Sequence, residues 1–366
     1  MKTAVIILNW NTRDYLKRWL PMLVKSCEGL DAEVVVADSA STDGSMEMMA
    51  EEFPDIRRIE LDANYGFTGG YNRAVGILLE EKDAPEYVVL INSDIEVPEG
   101  WLKPLADWMD SHPECGACGP RLHALTQEDG RFIRSGRFEY AGAAGGRIDR
   151  FGYPFCRGRV LKRTEMDEGQ YGGPADVLWV TGACLMVRSR LWKELNGLDD
   201  RFFAHMEEID LCWRIGLAGW KVTVVPDSIV WHLGGGTLPQ NSPFKLKLNF
   251  RNGLLLLENN LAETFIARGC SAGKARRKAG RRIFCRMVLD GGSAAVYLLQ
   301  GHKDYFKAVI EAHDEYRALR CRPSGTVRKT PVGRVSGYCS DLCILPLSAI
   351  KGKRIFKYLR EYENRH

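Results

Sequence analysis

The chain has 366 residues and a mass of 41.2 kDa, which is enough for one large domain or two ordinary ones. Hydrophobic residues make up 45% of the sequence and charged residues 27%, which excludes extensive disorder. The net charge of +4 is unevenly distributed along the chain. Residues 245–366 carry 25 Lys or Arg and 10 Asp or Glu, whereas residues 1–244 carry 26 Lys or Arg and 37 Asp or Glu. The basic end therefore suits an anionic surface such as lipid headgroups or nucleic acid.

The eleven cysteines are scattered through a chain that is long enough to bury its own core, and their number is odd. This pattern indicates reduced thiols rather than a disulfide framework. The sequence opens without a secretory signal pattern and contains no run of about 18 uncharged apolar residues that would span a membrane. We therefore expect a cytoplasmic protein.

Short apolar runs alternate with helical patterns over the first 120 residues. Strands are predicted at residues 4–8, 33–37, 56–61 and 87–91, and helices at residues 13–27, 45–52, 69–81 and 98–110. Continuously apolar strands separated by helices favour a parallel sheet that is covered on both faces. Polar residues follow each predicted strand, at 9–11, 38–39, 62–64 and 92–94. Since ligands bind at the carboxyl ends of such strands, this edge of the sheet is the expected site.

The second half of the chain has a different pattern. Residues 129–175 are rich in Gly and Arg and are expected to form a loop over a site, with a plain surface insertion as the alternative. Strands are predicted again at 177–180, 185–187 and 221–225, and a helix at 207–217. From residue 244 onward the pattern is helical and basic. Its basic clusters favour helices that lie on a membrane surface, with a solvated basic face as the alternative. We expect no nucleic-acid binding, since no aromatic residues are interleaved with the basic ones.

Several polar residues are suited to a nucleotide or a metal ion. Asp38 can accept a hydrogen bond from a nucleobase or a ribose, although turn formation explains the same pattern. The glycine-rich residues 64–76 let the backbone approach a phosphate, or serve packing alone. Asp94 offers oxygen ligands to Mg²⁺ or Mn²⁺, and His232 could complete that site or be a core histidine. There is no GxGxxG after the first strand and no GxxxxGK[ST], which argues against a dinucleotide dehydrogenase and a P-loop NTPase.

Three carboxylates, those of Glu207, Glu208 and Asp210, begin the predicted helix at 207–217. Asp210 and Arg214 are four residues apart and are expected to pair. A carboxylate beside a leaving diphosphate is a natural general base for a hydroxyl nucleophile. The two glutamates project about 100° apart around the helix, so one can face a cleft while the other braces a neighbour.

Taken in order, these segments resemble the family 2 glycosyltransferases with the GT-A fold, in particular the bacterial branch of rhamnosyl- and related sugar transferases. The segments that carry the resemblance are residues 5–11, 37–45, 64–72, 92–94, 180–186, 202–214 and 231–232. The resemblance implies an α/β fold: a Rossmann-like nucleotide-sugar-binding domain with a mixed, mostly parallel sheet. This catalytic domain would comprise residues 1–245, with a nucleotide-binding half at 1–120 and an acceptor half at 121–245. A C-terminal basic helical region would follow at 246–366.

The resemblance also implies roles for individual residues. The nucleotide-sugar would contact Asn11, Asp38, Gly66, Gly70, Asn72 and Asp94. The metal ion, Mg²⁺ or Mn²⁺, would be held by Asp94 and His232. The acceptor site would include Trp179, Thr181, Gly182, Glu207 and Asp210. Glu208 would be the catalytic base.

Two positions depart from the family pattern. Asn92 stands where the first acid of the metal-binding motif is usual, which leaves open whether this position contacts the metal. Glu208 stands where Asp is usual, so its carboxylate reaches one methylene further, and Glu207 or Asp210 stays an alternative base. We expect the base to work with the ordinary pKa of a glutamate, since such a group is ionised at pH 7.

The expected function is an inverting, metal-dependent transfer of a sugar from a nucleoside-diphosphate sugar to a hydroxyl of a glycan or polyprenyl-linked acceptor. We expect it to serve cell-surface polysaccharide synthesis at the inner face of the plasma membrane, with the basic helices on the anionic surface. One alternative is a non-catalytic nucleotide-sugar-binding or scaffold protein of the same fold. Another is a sugar-nucleotide pyrophosphorylase, but residues 9–13 lack the Gly-rich, basic loop expected there.

Overall fold

The computed structural model describes residues 1–234, 242–327, 331–332 and 335–365. The strands are β1 (Thr3–Asn9), β2 (Ala32–Asp38), β3 (Arg57–Glu60), β4 (Tyr87–Ile91), β5 (Ile95–Glu96), β6 (Cys115–Glu128), β7 (Arg131–Phe138), β8 (Gly146–Asp149), β9 (Pro154–Cys156), β10 (Arg159–Val160), β11 (Arg163–Thr164), β12 (Ala175–Asp176), β13 (Cys184–Arg188), β14 (Lys221–His232) and β15 (Tyr338–Cys339). The α-helices are α1 (Arg13–Cys27), α2 (Ser45–Glu52), α3 (Gly66–Leu79), α4 (Leu102–Ser111), α5 (Ser189–Leu195), α6 (Glu207–Leu217), α7 (Pro243–Ala267), α8 (Ala272–Leu299), α9 (Lys303–Leu319), α10 (Ile344–Lys351) and α11 (Ile355–Glu363). Short 3₁₀ helices lie at Asp200–Phe202 and Gly352–Arg354.

A central mixed sheet organises the fold, with strand order β12-β14-β6-β13-β4-β1-β2-β3. The strands β1 to β4 pair in parallel, β13 runs antiparallel to both of its neighbours, and β14 is parallel to β6. Every residue of β4 is buried, as are most residues of β1 and β2, because helices cover both faces of the sheet. The expected parallel arrangement of the first 120 residues is therefore present.

Hydrophobic periodicity located three helices at their observed bounds, namely α1, α2 and α6. In α1 the buried side chains Leu16, Trp19, Leu20 and Leu23 recur at the spacing of one helix face. Helix α3 begins at Gly66, three residues before the predicted start, and α4 begins at Leu102, four residues after it. Helix ends are harder to predict than helix interiors, because the terminal turns lack the full set of intrahelical hydrogen bonds.

The expectation of a loop at residues 129–175 was wrong. This segment contains β7 to β11 and reaches the start of β12, and four of its strands form a second sheet in the order β11-β10-β9-β8-β15. Strand β15 joins this sheet from residues 338–339, through a parallel pairing of Tyr338 with Ile148. The strands are two to four residues long and their partner is distant along the chain, so local sequence patterns do not reveal them.

The strand predicted at residues 177–180 was also wrong, because this segment lies between β12 and β13 and forms only an isolated bridge from Trp179 to Gly146. Its four side chains are nevertheless buried. A continuous apolar run indicates that a segment is buried, but it does not distinguish a strand from a buried segment outside regular secondary structure.

The C-terminal region is helical, as expected. Helix α7 packs against α6, α8 and α9, and it buries a run of leucines that includes Leu255, Leu256 and Leu261. Helices α10 and α11 cover the second sheet through a separate apolar cluster formed with Phe155 and Val160. None of the helices in the described ranges is long and apolar enough to cross a bilayer.

Candidate active site

The carboxyl ends of β4 and β14 bring Asp94 and His232 together. The β4 strand ends at Ile91, and the two-residue strand β5 that follows Asp94 pairs with the last residues of β14, so that Ile95 lies opposite His232. The backbone N–H of Leu233 donates to the carbonyl oxygen of Asp94 at 3.1 Å. As a result, His232 Nε2 lies 3.2 Å from Asp94 Oδ1. Sequence reasoning had paired these two residues across 138 positions.

His232 also faces a carboxylate that sequence reasoning missed. Its Nδ1 lies 3.4 Å from Oε2 of Glu139, which follows the end of β7. All three side chains are buried, and neither ring nitrogen of His232 makes a hydrogen bond of good geometry within the described chain. Burial alone lowers the pKa of His232, but the charges of Asp94 and Glu139 outweigh it and raise this pKa to about 10.

Lys245, in the first turn of α7, brings positive charge toward the same carboxylates. Burial lowers the pKa of this lysine, while attraction to Glu139 and Asp94 opposes the shift. The charge of Lys245 in turn helps burial to lower the pKa of His205 to about 4, so that His205 is neutral at pH 7. Sequence reasoning missed Lys245 because it assigned the basic residues of this region to a membrane surface.

The paired glutamates Glu207 and Glu208 begin α6, directly after a strained turn. Phe203, His205 and Met206 have positive φ angles of 64°, 71° and 71°, a conformation that costs about 1–3 kcal/mol for a residue other than glycine. The turn is held by Asn252 of α7, whose Nδ2 lies within 2.7 to 3.0 Å of the carbonyl oxygens of Phe202, Ala204 and His205.

Glu208 is partly buried and packs against Gly182, where an added Cβ would lie 3.2 Å from the Cβ of Glu208. Burial raises the pKa of Glu208 to about 7, although its carboxylate interacts with backbone N–H groups that include that of Gly182. The expectation of an ordinary glutamate pKa was therefore wrong, because it did not include the cost of removing the charge from water. A carboxyl with this pKa is well matched to general base catalysis near neutral pH.

Glu207 is buried beside Glu208, and the pKa of Glu207 is raised well above its usual range by burial and by repulsion from Glu208. Two carboxylates this close do not both ionise readily. One oxygen of each, Oε2, makes no hydrogen bond within the described chain. The electrostatics therefore favour a protonated Glu207 beside an ionisable Glu208.

Asp210, the third carboxylate of this helix, has a structural role. It is fully buried, and it accepts hydrogen bonds from Arg214 Nε at 2.7 Å, Asn260 Nδ2 at 2.8 Å and Asn259 Nδ2 at 3.0 Å. These contacts confirm the expected pairing with Arg214 and join α6 to α7. A carboxylate that is fully buried and hydrogen-bonded in this way has no access to an acceptor hydroxyl, which argues against Asp210 as the alternative base.

The candidate nucleoside residues lie at the ends of β1 and β2. Asp38 is buried and accepts hydrogen bonds from Asn9 Nδ2 at 2.7 Å and from Ser41 Oγ at 2.6 Å. Asn11 is exposed, has a φ of 53° and accepts a hydrogen bond from the backbone N–H of Thr42 at 2.8 Å. These bonds fix the two loops side by side, on the same edge of the sheet as Asp94.

The glycine-rich segment makes close packing contacts. A Cβ on Gly70 would lie 2.7 Å from the side chain of Leu8, and one on Gly66 would lie 2.5 Å from the ring of Phe203. Asn72 donates to the carbonyl oxygen of Leu198 at 2.9 Å and accepts from its N–H at 2.8 Å. The structure thus shows the packing role that sequence reasoning had left open, and a contact of these residues with a nucleotide-sugar stays a prediction.

The candidate acceptor residues Trp179 and Thr181 are both buried, and Trp179 contacts Gly146 in β8 of the second sheet. Trp179 Nε1 donates to the carbonyl oxygen of Arg147 at 3.3 Å, and Thr181 Oγ1 accepts from the N–H of Ala183 at 3.2 Å. Ala183 also links this segment to β4, because its carbonyl oxygen accepts from the N–H of Asn92 at 3.0 Å. Residues 181–183 therefore connect the strand that leads to Asp94 with the helix that carries Glu208.

Comparison with known proteins finds a family domain in the first half of the chain and related sugar transferases. Residues 4–162 match the model of glycosyl transferase family 2. The chain is 29% identical, over 234 residues, to the N-acetylglucosaminyl-diphospho-decaprenol L-rhamnosyltransferase of Mycobacterium tuberculosis, and the match covers 62% of this chain and 75% of the relative. It is 23% identical over 225 residues to the rhamnosyltransferase WbbL of Escherichia coli, covering 61% and 80%. Residues 4–162 therefore form a glycosyl transferase family 2 domain, as the sequence resemblance predicted.

The structural comparison agrees with this assignment. The glycosyltransferase shares its fold with the crystal structure of GalNAc-T7 with UDP, GalNAc and Mn²⁺, with a TM-score of 0.52 and 16% identity over 88% of this chain and 58% of the other. This likeness confirms the expected GT-A fold. The two rhamnosyltransferases agree with the expected resemblance to the rhamnosyltransferase-like branch.

Proposed function

We propose that this glycosyltransferase transfers a sugar from a nucleoside-diphosphate sugar to a hydroxyl of a lipid-linked glycan, with inversion of the anomeric carbon, during synthesis of a surface polysaccharide. The acceptor class is supported by the mycobacterial relative, whose name specifies a sugar on a diphospho-decaprenol lipid. The observation that carries the chemical proposal is the partly buried Glu208 with its pKa near 7, at the start of α6 and against Gly182.

In this proposal Glu208 accepts the proton of the acceptor hydroxyl as that oxygen attacks the anomeric carbon. The attack comes from the face opposite the leaving nucleoside diphosphate, so one displacement inverts the configuration. Glu207 keeps its proton and lies beside Glu208 without adding a second negative charge. Helix α7 holds the glutamates in place through Asn252 and the turn that precedes α6.

We propose Mg²⁺ or Mn²⁺ as the cofactor, held by Asp94 and His232. The donor set fits such an ion, because His232 presents buried ring nitrogens without hydrogen bonds of good geometry, and Asp94 presents a carboxylate oxygen 3.2 Å from one of them. The ion would take the place of the proton on Nε2, so its binding would release a proton. When bound, the ion supplies positive charge that stabilises the leaving diphosphate. Asn92 carries an uncharged amide where a carboxylate would bind a hard cation more strongly, and we propose that it is not a ligand. Lys245 supplies a further positive charge from α7.

The proposal is tested first with a panel of nucleoside-diphosphate sugars carrying uracil, thymine or guanine. Donor binding is measured by the thermal shift of the protein with Mg²⁺ or Mn²⁺, and the anomeric configuration of the product is read by NMR. We expect a metal-dependent shift with one nucleotide class, and loss of that shift in Asp94→Asn but not in the control Glu165→Gln, whose carboxylate lies in a separate network with Arg360 and Tyr171. A product with retained configuration would contradict the assigned role of Glu208.

We further propose that the protein is cytoplasmic and binds the inner face of the plasma membrane through helix α8. Residues 1–245 would then be the catalytic domain, with halves at 1–120 and 121–245, and residues 246–366 the membrane-binding region. One face of α8 is exposed along its length, and its side chains are basic in the first half of the helix and apolar in the second. It carries Lys274, Arg277 and Arg281 first, and then Phe284, Val288 and Leu299, the last three being 68%, 59% and 87% exposed. A basic stripe continued by an apolar one suits an anionic bilayer interface.

Vesicle sedimentation tests this membrane contact. We expect the protein to bind vesicles that contain phosphatidylglycerol and to bind phosphatidylcholine vesicles weakly. The double variant Phe284→Ser/Leu299→Ser should lose binding, whereas Ile77→Ser, a comparable change of an exposed residue on α3, should retain it. Equal binding by both variants would exclude α8 as the contact.

A further inference from the structure

Glu139 is a buried carboxylate with a defined position beside His232. It follows the end of β7, its backbone N–H donates to the carbonyl oxygen of Leu122 at 2.9 Å, and its Oε2 accepts a hydrogen bond from the N–H of Ala141. The side chain is only 6% exposed. A buried carboxylate is costly unless a charge or a donor compensates it, and the imidazole of His232 faces this one at 3.4 Å.

The two nitrogens of the His232 ring face different carboxylates. Nε2 faces Asp94, the proposed metal ligand, and Nδ1 faces Glu139. The nitrogens point away from each other across the ring, so a ring whose Nε2 ligates a metal ion must keep its proton on Nδ1, toward Glu139. Metal-binding histidines commonly donate this second N–H to a carboxylate, which fixes the tautomer and the orientation of the ring.

The arrangement is less suited to Glu139 as a direct ligand. Within the described ranges, no group of three or more His, Cys, Asp or Glu side chains is arranged to hold a metal ion. Glu139 and Asp94 lie on opposite sides of the imidazole rather than on the Nε2 side together.

We propose that Glu139 is a positioning residue that accepts the Nδ1–H of His232 and thereby presents Nε2 to the divalent cation beside Asp94. This inference rests on the metal site of the proposed function. Through Glu139, the Gly-rich and Arg-rich segment at residues 129–175 would contribute to the affinity for the metal ion. Glu139 also gives this chain a carboxylate–imidazole pair at a site where Asn92 replaces the usual first acid.

The test uses Mn²⁺ alone as the probe, with the full-length protein, and follows free Mn²⁺ by its electron paramagnetic resonance signal. Asp94→Ala and His232→Ala should lose the site. Glu139→Ala should weaken Mn²⁺ binding about 10- to 100-fold, the usual loss when a ligand's hydrogen-bond partner is removed. Glu139→Gln should retain most of the affinity, because its amide oxygen still accepts from Nδ1–H. Glu165→Ala is the matched control, since it removes a mostly buried carboxylate outside the site.

A spectroscopic signature separates positioning from a general structural effect. Pulsed paramagnetic resonance should detect the ¹⁴N coupling of a coordinated imidazole in the wild type and in Glu139→Gln, and a weakened coupling in Glu139→Ala. Wild-type affinity in Glu139→Ala, together with loss in His232→Ala, would overturn the inference while leaving the metal site intact. If Glu139→Gln lost Mn²⁺ binding as completely as Asp94→Ala, Glu139 would instead be a direct ligand, and the inference would also be overturned. If the wild type binds neither Mn²⁺ nor Mg²⁺, the metal part of the proposed function fails, and this inference fails with it.

Discussion

Replacing Glu208 by glutamine removes the proposed proton acceptor while keeping the size and shape of the side chain. Glu208 is packed against Gly182 at the start of α6, so the amide should occupy the same space. Donor binding depends on other residues in this proposal, chiefly those near Asp38 and Asp94. We therefore expect Glu208→Gln to retain the thermal shift caused by the donor and to lose turnover.

The size of the effect follows from the pKa of Glu208, which burial raises to about 7. Loss of a general base lowers the rate about 10²- to 10⁴-fold. In the wild type, the ionised form is the active one, so kcat/KM should fall about tenfold per pH unit below pH 7. At pH 5.5 a carboxyl with this pKa is about 3% ionised, whereas one with the ordinary value near 4.3 is about 94% ionised. At pH 5.5 the ionised fraction, and with it the expected kcat/KM, therefore differs about 30-fold between the two cases.

The assay is the pH dependence of kcat/KM between pH 5 and 8, under conditions where the protein stays folded by circular dichroism. The wild type and the control Glu165→Gln should show the same bend near pH 7, and the residual rate of Glu208→Gln should lack it. A wild-type profile that is flat down to pH 5.5 would refute the reasoning about burial. A near-normal rate in Glu208→Gln would show that another group is the base.

Three further predictions concern stability, each measured as the free energy of unfolding in denaturant. Glu207→Gln should stabilise the protein above pH 5, increasingly toward pH 8. Folding raises the pKa of Glu207, so the wild type loses stability as the pH rises above the pKa that this glutamate has in the unfolded chain, by up to about 1.4 kcal/mol per pH unit. If the variant and the wild type differed in unfolding free energy by the same amount at pH 5 and at pH 8, this prediction would be wrong. Asp210→Ala should cost about 3–5 kcal/mol, because it leaves the buried guanidinium of Arg214 without its carboxylate; a loss under 1 kcal/mol would restore Asp210 as a candidate base. Gly146→Ala should cost at least about 1–3 kcal/mol, since its Cβ would lie 1.9 Å from the ring of Trp179, whereas Gly173→Ala, with open space around it, should be near neutral.

How far the site could be predicted depended on where each residue stands relative to the strands. Asp94 and His232 follow apolar runs, and strand ends in an α/β sheet share one edge, so their proximity could be inferred before any coordinates. Glu139 follows a strand whose residues are mostly polar and exposed, within a Gly-rich and Arg-rich segment, and no pattern separates it from the other glutamates. Asn252 lies inside a helix with a mostly buried surface, where nothing in the sequence indicates that its amide holds the turn before α6.

The sequence by itself determined the alternation of buried strands and helices in the first 120 residues, the motifs that resemble family 2 glycosyltransferases, and the carboxylates available for chemistry. These properties are local, since hydrophobic periodicity and residue type are read from neighbours along the chain. Only the tertiary structure decided which carboxylates are buried, and therefore that Glu208 titrates near neutrality while Asp210 serves as an internal anchor. It also decided that residues 338–339 complete a second sheet with residues 146–164. The pKa of a side chain and the partner of a short strand depend on groups brought near through folding, from positions that no local pattern connects.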